Sequence, residues 1–466
     1  MKWAGRPRVA LALTASITAF TAAACFGGPP PPPPPPGPCG TSSSGAQAAS
    51  TGGTPAPLPP DSAAQKARDE ATRSTSRTAD NKIPLVTVAL APGGKPLINK
   101  TSVASADEAG RVAGQQAQGG NVVAVEVASP VHATLAGPDP LRIQQWALDQ
   151  VPYEQAWATA NTKGAGITVG VVDTGSTANH PDLAGQVLAG HSFLNNGTES
   201  NSAVDDNGHG THVSGIIAAV NNNVTGISGA APEVKIRPVK VLDSSGSGFN
   251  SDVASGITWE VDNGGAQVVN LSLGGPAFDQ ATCLAVRYAQ QHDVVVVAAA
   301  GNCGGSSFQL NGCSSQDQPS YPGALSQSAD GAEPIAVAAT DEANPPNAKP
   351  AAHAPYSTTG SYVDISAPGG SSGSCTPASS CNILSTVPMS GPVSDPTGYK
   401  AIAGTSMATP YVSAAVALLR AAFPSCAASD VRARLLSTAT DLGAPGPDAT
   451  FGSGEVDPNT AVAACP

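Results

Sequence analysis

Charge is scarce in this chain. Only 12% of its 466 residues are Asp, Glu, Lys or Arg, and 22 Lys and Arg face 34 Asp and Glu, a net charge of −12. So few cations leave no basic surface for a phosphate backbone or an anionic bilayer, which excludes nucleic-acid binding and electrostatic membrane attachment. Aromatics make up just 4%, so large flat rings cannot fill the interior. No apolar run reaches the roughly 18 residues of a membrane span. The nine cysteines include no CxxC pair, which removes the usual zinc-ligand spacing. No internal repeat is visible, so solenoids and propellers drop out.

What remains is a chain built of small residues and turns: 51 Gly, 43 Pro and 41% hydrophobic residues, enough for a large core. The N-terminus has the form of an export signal, residues 1–24: Lys2, Arg6 and Arg8, an apolar run from Val9 to Phe20, then Ala22-Ala23-Ala24. Cleavage there exposes Cys25. Two outcomes stand open, a secreted protein or a lipoprotein anchored at that sulfur, although Ala22 occupies the place where lipoprotein signals usually carry Leu. Residues 25–81 form a Pro/Gly/Ser-rich linker, with a polyproline II rod at Pro29–Pro36 and disorder to Asn81.

From Lys82 the pattern changes. A strand over 84–90, a helix over 105–118 and a strand over 121–127 form a small α/β unit, 82–135. Its core is small, so it suits a folding and inhibitory propeptide better than an independent domain. The large domain, 136–466, alternates strands at 166–173, 235–242, 268–273, 294–299 and 335–338 with helices at 209–219, 251–262 and 281–292. This alternation predicts a three-layer α/β fold around a central parallel sheet. Ligands then bind beyond the C-terminal strand ends, where Asp173, Ser272 and Asn302 fall.

The stretch Gly404-Thr405-Ser406-Met407-Ala408-Thr409-Pro410 feeds a helix whose Val412, Ala415, Val416, Leu418 and Leu419 recur at helical spacing. The expectation is a helix starting near Ser406, with Pro410 in the first turn where its missing N–H is harmless. A Ser in this place is ordinarily a cap. Two other stretches change that: Val171-Val172-Asp173-Thr174-Gly175 and Asp206-Asn207-Gly208-His209-Gly210-Thr211-His212. A serine hydroxyl needs a base to take its proton, imidazole does that near neutral pH, and a buried carboxylate fixes the imidazole tautomer. His209 and His212 could instead pair on a metal, but no Glu or third His accompanies them nearby.

These three stretches, in the order Asp…His…Ser, resemble the subtilisin-like serine proteases, or subtilases, most of all the thermitase-like secreted bacterial type, from about Asp139 to Val462. The resemblance implies a serine endopeptidase acting on proteins or peptides through an acyl-enzyme, made as a zymogen and held by its own propeptide until a cut near Ala133–Pro138. It implies that Asp173 orients, His209 is general acid/base, Ser406 is the nucleophile and Asn302 an oxyanion donor. Gly246-Ser247-Gly248 and Ser272-Leu273-Gly274 would pair with substrate backbone, and Ala299, Ala300, Gly301 and Ser320 would line the primary specificity pocket. No carboxylate aligns with its floor, so small or apolar side chains are expected there rather than basic ones. No cofactor is needed for the chemistry. A structural calcium is implied at Asp139, Asp182 and Asn223 with the carbonyls of Val220, Thr225 and Ile227, oxygen ligands of the kind Ca²⁺ takes. The expected protein is a secreted monomer, on the membrane only through Cys25. Alternatives are a catalytically silent binding protein on the same fold, and an anchored protease dedicated to one partner. In an exported protein the cysteines should pair: Cys375 with Cys381 and Cys426 with Cys465 are the guesses, with one of Cys283, Cys303 and Cys313 left to meet Cys39.

Overall fold

A computed structural model describes residues 56–73, 81–92, 95–128, 137–194, 198–305, 313–327, 330–342, 351–371 and 381–465. The signal at 1–24, the linker to residue 55, Cys25, Cys39, Cys375 and the expected cut over 133–136 lie outside them. The chain divides into two compact units, Met1–Val131 and His132–Pro466.

The first unit contains α1 (Pro60–Arg73), β1 (Ile83–Leu90), β2 (Pro96–Val103), α2 (Ala106–Ala117) and β3 (Val122–Val127). Its sheet runs β2-β1-β3, antiparallel throughout. Helix α2 starts where expected: Ser105 accepts from the Glu108 N–H at 3.2 Å while the Glu108 carboxylate takes the Ala104 N–H at 2.8 Å. This is close to a capping box. Helix α1 corrects the expectation of disorder up to Asn81. Ala63, Ala67 and Ala71 form an i, i+4 stripe that is buried together with Ala109 and Ala113 of α2. Alanine is the best helix former, but its small apolar surface leaves little periodic signal in a polar sequence. Strand β2 was also not anticipated. Most of its residues are exposed, including Leu97 and Ile98, so it lacks an alternating pattern.

The second unit has α3 (Trp146–Gln150), α4 (Tyr153–Ala160), β4 (Thr168–Asp173), β5 (His191–Leu194), β6 (Thr198–Ser200), α5 (His209–Ala218), β7 (Lys235–Lys240), α6 (Asn250–Trp259), β8 (Val268–Leu271), α7 (Gln280–Gln291), β9 (Val295–Ala299), β10 (Ile335–Thr340), β11 (Ile365–Pro368), β12 (Ile383–Thr386), β13 (Tyr399–Ile402), α8 (Thr405–Ala422), α9 (Ala428–Ser437) and α10 (Pro458–Ala461). Eight strands form one sheet in the order β11-β10-β9-β8-β4-β7-β5-β6, parallel except that β6 runs against β5. Strand residues alternate between two cores. Val169, Val171, Val295 and Val297 pack with α5 and α8, whereas Val172, Val296 and Ala298 pack with α6 and α7. The result is the three-layer α/β arrangement with a parallel centre.

Helix α8 is the spine of one layer. Thr405 and every residue from Met407 to Arg420 are buried. Each fully buried Leu or Val contributes about 1.5–3 kcal/mol, so Val412, Val416, Leu418 and Leu419 fix this helix firmly. The helix begins at Thr405, so Pro410 is its sixth residue, inside the helix rather than in the first turn. Proline has no N–H for the carbonyl four residues back. That carbonyl belongs to Ser406, and the Ser272 hydroxyl supplies the missing donor at 2.9 Å.

Disulfides join Cys303 to Cys313 and Cys426 to Cys465. The second pairing is the one anticipated from the sequence; Cys283 is buried in α7.

Candidate active site

Asp173 ends β4 with its side chain fully buried. Its Oδ1 accepts from the Thr174 N–H at 2.7 Å, and His209 Nδ1 donates to the carboxylate at 2.8 and 3.0 Å. His209 opens α5 behind Gly208, which has φ +115° and whose missing Cβ would strike the Val393 carbonyl. Only glycine fits that position. Buried Asp205 organises the turn: its carboxylate accepts from the N–H groups of Asn207, Gly208 and Thr211 and from the Thr174 and Thr211 hydroxyls, at 2.5–3.0 Å. Thr174 Oγ1 in turn accepts from the Gly210 N–H at 2.9 Å. The Asp173 and His209 segments are therefore stitched together independently of the Asp173–His209 bond.

Burial disfavours a charged His209, but the Asp173 carboxylate, through its charge and hydrogen bond, and Asp205 outweigh it. The imidazole is held above its ordinary value. His212 behaves oppositely. Burial, and then the neighbouring His209, push it down to about 3. Its Nε2 donates to the carbonyls of Ile383 and Lys400 at 3.1 and 3.0 Å, so it is a core histidine and the His209–His212 metal pair does not form.

Ser406 is the second residue of α8, where backbone N–H groups have no partner within the helix. Its Oγ donates to the Ser272 carbonyl at 3.0 Å. Asn302 Oδ1 accepts from the N–H and hydroxyl of Thr405 at 2.9 and 3.0 Å. The amide oxygen of Asn302 is thus turned to the first residue of α8. A cleft of about 590 Å³ is lined by Ser406, His209 and Asn302 together with Gly246, Ser247, Gly248, Ser272, Leu273 and Gly274. A second cavity of about 310 Å³ shares Ser406, Asn302, Leu273 and Gly274 and adds Ala299, Gly301 and Ser320. Gly301 sits at φ +108°, and a Cβ there would lie 2.6 Å from that of Ser320.

Ala300 is the exception among the expected pocket residues. It follows β9 with its side chain fully buried among Ala324, Ala336 and Tyr362, because successive positions alternate here and Ala299 and Gly301 take the cavity side. Sequence reasoning missed Cys303, Cys313, Gln318, Pro319 and Thr405, which also line the second cavity, and Asn207, Phe249 and Val393, which line the first. It also passed over Asp205, although its place just before Asp206-Asn207-Gly208-His209 was a usable signal.

The residues expected to hold calcium are joined by hydrogen bonds, Val220, Thr225 and Ile227 through their N–H groups. Asp139 accepts from the Asn222 and Asn223 N–H groups at 2.8 and 2.9 Å. Asp182 accepts from Asn223 Nδ2 at 2.9 Å, Ile227 N–H at 2.8 Å and Tyr399 OH at 3.3 Å. Asn223 Oδ1 accepts from the Thr225 N–H at 2.8 Å, and the Val220 N–H reaches the Asp182 carbonyl at 2.8 Å. Both carboxylates are buried and, among the described residues, neither has an ion-pair partner. Burial pushes Asp182 up to about 7, with Asp139 adding to the rise. Two buried carboxylates, packed against a loop with Asn222 and Val224 at positive φ, carry the oxygen chemistry that a divalent ion takes.

Known proteins bear on this geometry. The model for the subtilase family matches residues 164–454. Thermitase of Thermoactinomyces vulgaris is 40% identical over 303 residues, 65% of this chain and 91% of thermitase. Subtilisin DY of Bacillus licheniformis is 41% identical over 281 residues, covering 60% of this chain and 86% of its own. Among solved structures, a protease from Pseudoalteromonas arctica PAMC 21717 aligns with TM-score 0.58 and 31% identity, over 70% of this chain and 99% of that one.

Proposed function

Because this chain belongs to the subtilase family, we propose that it is a secreted serine endopeptidase, made as a zymogen, that cuts proteins through Ser406, His209 and Asp173. The observation that carries the reading is the bond from His209 Nδ1 to buried Asp173 in a cleft that Ser406 and Asn302 also line. Ser406 Oγ, rotated from the Ser272 carbonyl toward His209 Nε2, attacks the scissile carbonyl carbon and passes its proton to that nitrogen. Asp173 holds the tautomer with Nε2 free and stabilises the imidazolium. The carbonyl oxygen gains charge between Asn302 Nδ2 and the Ser406 N–H, near the positive end of α8. Collapse of the tetrahedral adduct breaks the C–N bond, and His209 returns the proton to the leaving amine. Water, deprotonated by His209, then hydrolyses the acyl-enzyme.

Gly246–Gly248 and Ser272–Gly274 are read as the two edges that hold an extended peptide by main-chain hydrogen bonds. The second cavity is read as the pocket for the side chain preceding the cut. Among the described residues no charged one lines it, which favours small or apolar side chains over Lys and Arg. Residues 82–135 are assigned to folding and blocking the catalytic domain until self-cleavage. Asp139, Asp182, Asn223 and the carbonyls of Val220, Thr225 and Ile227 would hold a calcium that ties the loop down and takes no part in the chemistry.

Casein hydrolysis by the purified protein, blocked by a fluorophosphonate and absent in Ser406→Ala, is the expected result. An intact Ser406→Ala variant with undiminished hydrolysis, or a wild type that neither hydrolyses casein nor takes the label, refutes the reading.

A further inference from the structure

The specificity cavity has a wall that no catalytic role accounts for. Cys303 follows Asn302 directly, is bonded to Cys313 with Cα atoms 5.8 Å apart, and both cysteines line the cavity shared with Ser406. The chain leaving Asn302 is pinned on one side. The Cys303 N–H reaches buried Thr358 Oγ1 at 2.9 Å, the Gly304 N–H reaches the Tyr356 carbonyl at 2.8 Å, and the Thr358 N–H reaches the Gly301 carbonyl at 2.9 Å. The returning chain carries Gln318, Pro319 and Ser320 along the same cavity. Besides the disulfide, the Asp317 N–H reaches the Cys303 carbonyl at 2.8 Å, Asp317 Oδ1 accepts from the Thr359 N–H at 2.9 Å, and Tyr321 pairs with Gly275 at 2.8 and 2.9 Å, so the bridge is the covalent tie among several hydrogen bonds. A remote disulfide, Cys426–Cys465, lies where Cys426 packs in the core beside α8, and neither of its cysteines lines the cleft or the cavity.

On the proteolytic reading above, we propose that the Cys303–Cys313 bridge is a specificity-determining element. It sets the position of the returning chain, and so the width of the pocket, relative to the oxyanion donor Asn302. Two sulfurs add an uncharged, polarisable surface that favours large apolar and aromatic side chains. Without the bridge only hydrogen bonds hold the returning chain, its position is less sharply set, and the pocket discriminates less between a side chain that fills it and one that does not.

The test compares Cys303→Ser/Cys313→Ser with Cys426→Ser/Cys465→Ser and wild type, each titrated for active sites with a fluorophosphonate, on peptide anilides with Phe, Leu or Ala before the cut. Removing the pocket bridge should lower the Phe:Ala ratio of kcat/KM about tenfold, the scale on which one pocket methylene is felt, mainly through a higher KM for Phe. Removing the remote bridge should lower Tm and leave the ratio unchanged. An unaltered ratio in titratable Cys303→Ser/Cys313→Ser overturns the proposal, as does an equal fall in both variants. If that variant does not fold, wild type is reduced stepwise with a phosphine, and samples quenched with iodoacetamide are mapped by mass spectrometry. The ratio should then fall in step with opening of Cys303–Cys313, and a constant ratio after it has opened overturns the proposal. A wild type silent on every anilide and on casein would instead remove the proteolytic reading on which this one rests.

Discussion

Ser272 and Ser406 are bonded in both directions: Ser406 Oγ donates to the Ser272 carbonyl at 3.0 Å, and Ser272 Oγ donates to the Ser406 carbonyl at 2.9 Å. Ser272 Oγ also accepts from Asn270 Nδ2 at 2.9 Å, whose Oδ1 accepts from Ser413 Oγ at 2.8 Å. The carbonyl that Pro410 leaves without a helical donor is thereby satisfied by the segment read as one edge of the substrate cleft. Ser272→Ala should strand it, costing about 1–3 kcal/mol and lowering kcat more than it raises KM. Adding Pro410→Ala restores an N–H at that point and should recover most of the stability. Urea unfolding on a Ser406→Ala background, which prevents self-digestion, measures both; additive losses would show that the two residues do not share this carbonyl.

Asn302→Leu should reduce kcat by about 10²–10³-fold, the loss seen when such a donor is removed from subtilisin, with KM little changed. Steady-state kinetics on one anilide suffices. A variant retaining full kcat would mean that Asn302 serves only to hold Thr405.

The pH–rate profile should carry an acid limb from His209. Since its imidazole is held above the ordinary value despite burial, kcat/KM should rise with a one-proton slope whose midpoint lies above about 6.5, the unperturbed imidazole value. Stability moves the other way. A raised imidazole contributes its full stabilisation below the unfolded value and loses it as pH climbs through the folded one. Asp173→Asn should shift the limb down and reduce turnover by about 10⁴-fold; an unmoved limb would disconnect it from His209.

Glu260, directly after α6, is fully buried, and among the described residues neither of its carboxylate oxygens has a hydrogen-bond partner. Burial raises its carboxyl well above the usual range, against a smaller lowering from Arg237. The folded protein therefore keeps a proton that the unfolded chain releases above its ordinary value, and stability falls as pH rises from there toward the folded value. Glu260→Gln should raise Tm at pH 8 and change it little at pH 4. Equal shifts at both would assign the effect to packing.

Prolonged EDTA should lower the Tm of the mature enzyme, and calcium should restore it. In Asp182→Asn the response should be largely gone. A wild-type Tm indifferent to chelation would leave Asp139 and Asp182 as a hydrogen-bonded turn.

The legible parts of this molecule were those with a strong period or a chemical necessity. Val169 to Val172 is apolar on both faces because the sheet is covered on both, and the run in α8 is long enough to betray its burial. Asp173, His209 and Ser406 stood out because a carboxylate, an imidazole and a hydroxyl in three separate motifs fit one known way of activating a hydroxyl; the structure bonds the first two and puts Ser406 on the same cleft as His209. Helix α1 was hidden because alanine supplies propensity without contrast, and β2 because an exposed strand needs no alternation. The place of Pro410 was misjudged because a donor from a distant strand end, Ser272, made an interior proline tolerable. Cys303 and Cys313 gave no hint of lining a cavity, since that follows from the path of the loop and not from residue type.

Burial along nearly the whole of α8 has a kinetic consequence. Surface loops open on their own, but a helix enclosed on all sides exchanges its amide hydrogens only when the surrounding domain comes apart. Deuterium uptake should therefore leave Met407 to Leu419 among the slowest positions in the molecule. The hydroxyl at Ser406 would then keep its position through every breathing motion of the cleft, and inactivation by heat would track loss of the entire domain.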